Sequence, residues 1–134
     1  MHLIGACLCR AVGYEILVNG TEVADYCHCR ECRRWGGAPV QAWVQVAPLN
    51  FRVTRGAAKG YASSARATRW FCPDCGSPLY MTDSADISVG VTLGTLDQPD
   101  QVRPNVHGWV CERIGWFDIS DALPRYAQAP PYDV

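Results

Sequence analysis

Hydrophobic positions along this chain recur with a period of two. Val40, Ala42, Val44 and Val46 alternate with Gln41, Trp43 and Gln45, the pattern of a strand with two unlike faces. Residues 8–18 predict an earlier strand, and Asn19-Gly20 predicts a hairpin turn from it into an apolar stretch at 23–26. Short β-prone runs follow at 51–53, 60–62, 67–71, 78–81, 87–93 and 106–111, separated by Gly, Ser and Pro. Only residues 29–35 suit a helical turn, which Gly36-Gly37-Ala38-Pro39 ends, with a second brief turn at 120–123 stopped by Pro124. Many short strands and little helix predict a mostly β fold. With no repeat and no linker, one domain is expected over residues 1–134, its core at about 3–125 and residues 126–134 a loosely held tail.

At 134 residues the chain can bury a modest core that metal staples would strengthen. The formal net charge of −1, with signs mixed throughout, lacks the electrostatic footprint of a nucleic-acid binder. No apolar run approaches the roughly 20 residues of a membrane helix, and the first residues lack a secretion signal's basic-then-apolar layout. The expected compartment is the cytoplasm, where cysteines serve as metal ligands or redox groups more often than as disulfides.

Cysteine usage sharpens that expectation, because seven of eight fall in three clusters: Cys7-Leu8-Cys9, Cys27-His28-Cys29-Arg30-Glu31-Cys32 and Cys72-Pro73-Asp74-Cys75-Gly76. A disulfide inside a C-x-C pair would close a strained small ring, whereas its two sulfurs can bind one tetrahedral ion side by side. In the last cluster Pro73 presets a turn and Gly76 permits positive φ, so that backbone amides point at the sulfurs, as in a zinc knuckle. Cys7 and Cys9 can complete this knuckle as a closed four-thiolate site. Spacing equally allows the knuckle to complete the middle cluster instead.

The middle cluster offers Cys27, Cys29 and Cys32 within six residues. Either Cys111 arrives from afar as a fourth sulfur and closes a structural site, or the fourth position is left to water or substrate. Three thiolates around a dipositive ion leave a net charge of about −1. Such an electron-rich zinc makes hydroxide poorly and suits binding of a soft thiol as thiolate. Thiol capture is then favoured over metal-assisted hydrolysis.

Several motifs together resemble one family in order and spacing. They are residues 5–14 around Cys7 and Cys9, the Cys27-to-Cys32 cluster, Gly37-Ala38-Pro39, residues 71–80 around Cys72 and Cys75, Gly94-Thr95-Leu96-Asp97, and His107-Gly108-Trp109. Over residues 5–123 the chain resembles the glutathione-dependent formaldehyde-activating family. The resemblance implies an Mss4-like, zinc-bound β-sheet (β-tent) domain with two zinc ions. Cys7, Cys9, Cys72 and Cys75 would hold a structural ion, and Cys27, Cys29 and Cys32 an exchangeable ion at which catalysis occurs. The implied activity is that of a carbon–sulfur lyase joining formaldehyde to glutathione as S-hydroxymethylglutathione. Many members carry only the fold and motifs, so the thiol and the aldehyde need not transfer. Cys111 is not among the family's motifs.

Around the middle cluster, Arg30, Arg33 and Arg34 could meet the carboxylates of a tripeptide thiol, or form a solvated face. His28 could steer a thiol proton or sit behind the ligands. On a strand His107 would share a face with Trp109 and Cys111, either lining the pocket or satisfying a core hydrogen bond. The five tryptophans read as core. The expected partners are a small thiol such as glutathione and an aldehyde, with no nucleic acid and no membrane. The competing class is a non-enzymatic, zinc-stabilised β-module that binds a protein or small molecule.

Overall fold

A computed structural model describes residues 1–132, and among these described residues there are ten strands and one short α-helix. The strands are β1 (His2–Ala6), β2 (Gly13–Leu17), β3 (Ala24–Cys27), β4 (Gln41–Val46), β5 (Phe51–Arg55), β6 (Lys59–Ala62), β7 (Ala67–Phe71), β8 (Pro78–Asp83), β9 (Val89–Thr92) and β10 (Val106–Gly108), with helix α1 (Arg30–Gly36) between β3 and β4. A small sheet has the order β1-β2-β5 and a large one β10-β3-β4-β9-β8-β7-β6. Every described pairing is antiparallel except β10 with β3.

The period-two pattern of β4 has its expected meaning. Val44 and Val46, with Val89, Val91 and Tyr80 from the neighbouring strands, pack on Leu3, Tyr14 and Ile16 of the small sheet to form the main core. Register places Trp43 opposite Asp25 and Thr92, Gln45 opposite Gly90, Gly90 opposite Met81, and Met81 opposite Arg69. Directly paired residues share a face and successive residues alternate, so the large sheet turns one apolar face inward and presents Cys27, Trp43, Gln45, Met81 and Arg69 on the other.

Four predicted elements are corrected. The strand expected at 8–18 begins only at Gly13, because residues 7–12 form the turn of a β1–β2 hairpin, closed by Cys7 N–H to Val12 O at 3.1 Å. Leu8, read as strand, is 85% exposed at the tip of that turn. Asn19-Gly20 does make a turn, with Gly20 at φ 92° and the Glu22 carboxylate accepting from both amides. It joins two sheets and not a hairpin, since β2 already lies between β1 and β5, and β3 between β10 and β4. β10 stops at Gly108 because Trp109 takes φ 57°, and a single 3-10 turn, Val110–Glu112, follows.

No helix forms at 120–123, where the Asp121 carboxylate instead accepts from Leu123 N–H at 3.1 Å. Of the predicted tail, residues 133 and 134 lie outside the described residues. Before them Tyr126 N–H donates to His107 O at 2.9 Å, Trp109 N–H donates to Gln128 O at 3.0 Å, and Pro130 is buried against Gly108. Tyr132 donates its hydroxyl to Asp25 Oδ2 at 3.1 Å.

Ile16 is fully buried between the two sheets, whereas Leu49 is 96% exposed. Ile16→Ala should lower unfolding stability by about 2–5 kcal/mol through lost burial and a residual cavity, and Leu49→Ala by less than about 0.5 kcal/mol, as measured by chemical denaturation.

Candidate functional site

Two turns distant in sequence meet at the first cysteine group. Cys7 and Cys9 come from the β1–β2 turn, Cys72 and Cys75 from the turn between β7 and β8, and their four sulfurs lie within 4.8 Å of one another. The Cys7–Cys9 and Cys9–Cys72 sulfurs are each 3.7 Å apart. Tetrahedral zinc–sulfur bonds of about 2.3 Å require sulfurs roughly 3.8 Å apart, so this donor set fits one tetrahedral thiophilic ion. Local chemistry holds the turn in shape. Gly76 at φ 79° lets its N–H reach Cys72 O at 2.8 Å, and the amides of Asp74 and Cys75 approach the Cys72 sulfur at 3.4 and 3.5 Å. The Ser77 hydroxyl accepts from Leu8 N–H at 2.9 Å, and its hydrogen bond to the Cys75 sulfur helps pull that thiol down to about 5.

The second group lies on the opposite face of the large sheet from the main core. Cys27 ends β3, Cys29 is the N-cap of α1 and accepts from Cys32 N–H at 3.3 Å, and Cys32 lies on the helix, with all three sulfurs within 4.8 Å. Hydrogen bonding from Cys27 first, then from Cys32, pulls Cys29 down to about 2, while the same contacts and burial push the Cys27 thiol far up. Cys111 is exposed in the 3-10 turn after β10 and stands outside this group. Among the described residues the group has three sulfurs and no fourth protein ligand.

These sulfurs open into a cleft of about 760 Å³. Its floor is Trp43, Gln45, Met81 and Arg69, Trp109 and Tyr132 form a side, and both charge signs stand around it in Arg30, Arg34, Glu31 and Glu112. Trp43 stacks on Trp35 of α1 with ring centroids 5.8 Å apart. A Cβ at Gly90 would meet Gln45 and Trp43 at 3.1–3.3 Å, so the glycine leaves room for these two side chains on the cleft face.

The description "glutathione-dependent formaldehyde-activating enzyme" matches residues 2–112 as a family. The chain belongs to that family. An uncharacterized lyase of Schizosaccharomyces pombe is 34% identical over 76 residues, 57% of this chain and 54% of the relative, so the match spans about half of that curated protein. A Rhodobacter sphaeroides protein of known crystal structure superposes with a TM-score of 0.61 at 31% identity, covering 75% of this chain and 91% of that one. Among the described residues, no helix is long and apolar enough to cross a membrane.

Within this family member the expected site residues divide. Arg30 and Arg34 line the cleft, but Arg33 does not, and its Nε is buried without a hydrogen-bond partner. His107 does not line it either. It pairs in register with Tyr26, one residue out of phase with Cys27, and so faces away from the sulfurs. Fully buried, His107 joins a chain in which its Nδ1 lies 2.9 Å from His28 Nε2 and its Nε2 lies 2.9 Å from Asp121 Oδ2. The positive φ of Trp109 breaks the face that His107 was expected to share with Trp109 and Cys111. Burial also lowers the pKa of His28 and favours its neutral ring.

Sequence reasoning missed Arg69, Gln45 and Tyr132 and placed Trp43 only in the core. Gln45 and Trp43 were legible as the second face of an alternating strand. Arg69 had no local signal, and Tyr132 is brought in by the chain returning along β10. Its partner Asp25 is fully buried, with the carboxyl pushed up to about 7 by desolvation.

Unequal ligand sets predict unequal consequences. Cys72→Ser should remove one metal equivalent per chain and unfold much of the domain, because a structural site of this kind contributes roughly 10 kcal/mol on binding. Cys29→Ser should remove the other equivalent and leave a cooperative thermal transition. Elemental analysis with circular-dichroism melting checks both.

Proposed function

We propose that this protein is a zinc-dependent carbon–sulfur lyase-type enzyme acting on the adduct of a glutathione-like thiol with formaldehyde or another small aldehyde. The observation that carries this reading is a three-sulfur group that opens into a cleft, beside a separate group with a full set of four. Zinc held by Cys27, Cys29 and Cys32 would supply a coordination position suited to a thiol bound as thiolate. Membership of the family and the lyase relative support the same reaction class. Eight free cysteines suit a reducing compartment such as the cytoplasm.

In the synthetic direction a carbon–sulfur bond forms between the thiol sulfur and the aldehyde carbon, and the proton leaving sulfur ends on the former carbonyl oxygen. In reverse the adduct releases thiol and aldehyde. The chain's own residues bind and orient. Arg30 and Arg34 offer guanidinium forks to the carboxylates of a tripeptide thiol, while Glu31 and Glu112 can receive its amino group. Trp43 and Met81 form an apolar floor that excludes water beside the reacting sulfur.

Exchange NMR of glutathione with formaldehyde tests the reading. The wild type should accelerate exchange and Cys29→Ser should return it to the uncatalysed rate; equal rates for the two proteins would reject the reading. Arg34→Gln should raise KM for glutathione about fivefold with little change in kcat, the signature of lost uniform binding by a solvent-accessible charge.

A further inference from the structure

A buried cation faces the three-sulfur group, and no buried carboxylate answers it. Arg69, in the middle of β7, is 4% exposed. Among the described residues its one carboxylate partner is Glu31, 3.6 Å from Nη2 and with a side chain 61% exposed. Nε donates to the Ser63 hydroxyl at 3.2 Å, the guanidinium lies over the Trp35 ring at 5.4 Å, and Nη1 donates to the Cys32 sulfur at 3.6 Å. A guanidinium cannot escape burial by losing its proton, so it needs an anion nearby. On the exposed side Glu31 meets it, and on the buried side it meets the Cys32 sulfur.

We propose that Arg69 is a positioning residue for anionic sulfur: its guanidinium offsets the charge that the Cys27, Cys29 and Cys32 group acquires when an external thiol enters as a thiolate. Three thiolates with a divalent ion carry −1, and a fourth thiolate makes −2. Arg69 brings these totals to 0 and −1, in a cleft where poor solvation magnifies each charge. Ser63 and Trp35 hold the guanidinium plane on the side of Cys32, which leaves the open cleft to the incoming ligand. This inference rests on the proposed thiol chemistry, and it assigns to Arg69 a task different from gripping substrate carboxylates.

The test uses the full chain loaded with cobalt(II), titrated with 2-mercaptoethanol, a thiol without carboxylates, and followed by the near-ultraviolet sulfur-to-cobalt charge-transfer bands and the visible ligand-field bands. Arg69→Met should weaken thiol binding tenfold or more while two cobalt ions per chain remain, and Arg69→Lys, which keeps the charge, should retain most of the affinity. If Arg69→Met fails to fold, Arg69→Gln, neutral but able to donate toward Ser63, takes its place with the same expected loss. Unchanged affinity in the neutral variant overturns the inference. So does a lysine variant as weak as the neutral one, or a loss seen with glutathione and not with 2-mercaptoethanol, which would make Arg69 a carboxylate clamp. A wild type that binds no thiol overturns the proposed function as well, whereas a wild type that binds thiol with no effect of Arg69 overturns only this inference.

Discussion

Four sulfurs hold together two turns that are otherwise remote: Cys9 and Cys72 are 63 residues apart in sequence and 3.7 Å apart in space. One turn closes the β1–β2 hairpin of the small sheet and the other joins β7 to β8 of the large sheet. Thiolates at such distances repel one another, and a divalent cation bound among them would convert that repulsion into a cross-link between the sheets. The core formed by Leu3, Tyr14, Ile16, Val44 and Val91 lies between the surfaces joined in this way. In a chain of this length such a metal link would supplement a core of limited size.

With one face of the large sheet committed to that core, its other face is free for chemistry. Cys27, Trp43, Gln45, Met81 and Arg69 come from β3, β4, β8 and β7, four of five consecutive strands of the sheet, and reach the same cleft because register, not sequence proximity, aligns them. Helix α1 adds Cys29 through its N-cap and Cys32 through its first turn. The three-sulfur group is therefore held by a strand end and a helix start, two rigid features that suit a site needing fixed geometry.

Behind this group the buried chain His28–His107–Asp121 links the β3–α1 junction to the returning C-terminal segment. His28 N–H also donates to Gly108 O at 3.0 Å. A histidine between two cysteine ligands thus faces inward and secures the loop that carries them, while the cleft side is left to arginine, tryptophan and the sulfurs. The same returning segment delivers Tyr132 to the cleft edge, where Asp25 receives its hydroxyl.

Alternation in residues 40–46 and the spacing of the cysteine clusters were readable in advance because both express local backbone geometry: side chains two apart on a strand share a face, and C-x-C or C-x-x-C sulfurs converge within one turn. Membership of the family was legible for the same reason, since its motifs are local. Pairing among distant segments was not. Asn19-Gly20 looks the same whether the strands that follow it form a hairpin or enter two sheets, and His107 and Cys111 carry no mark of the register and the Trp109 backbone that turn them away from the sulfurs. By itself, the sequence determined strands, turns and clusters of ligands. Spacing left open whether Cys7 and Cys9 or the middle cluster joins Cys72 and Cys75, which the family resemblance alone implied; tertiary structure brings the four sulfurs together, leaves Cys111 outside and turns Arg69 to Cys32, because those outcomes depend on which strand edges are left to pair and which sheet face the core has already taken.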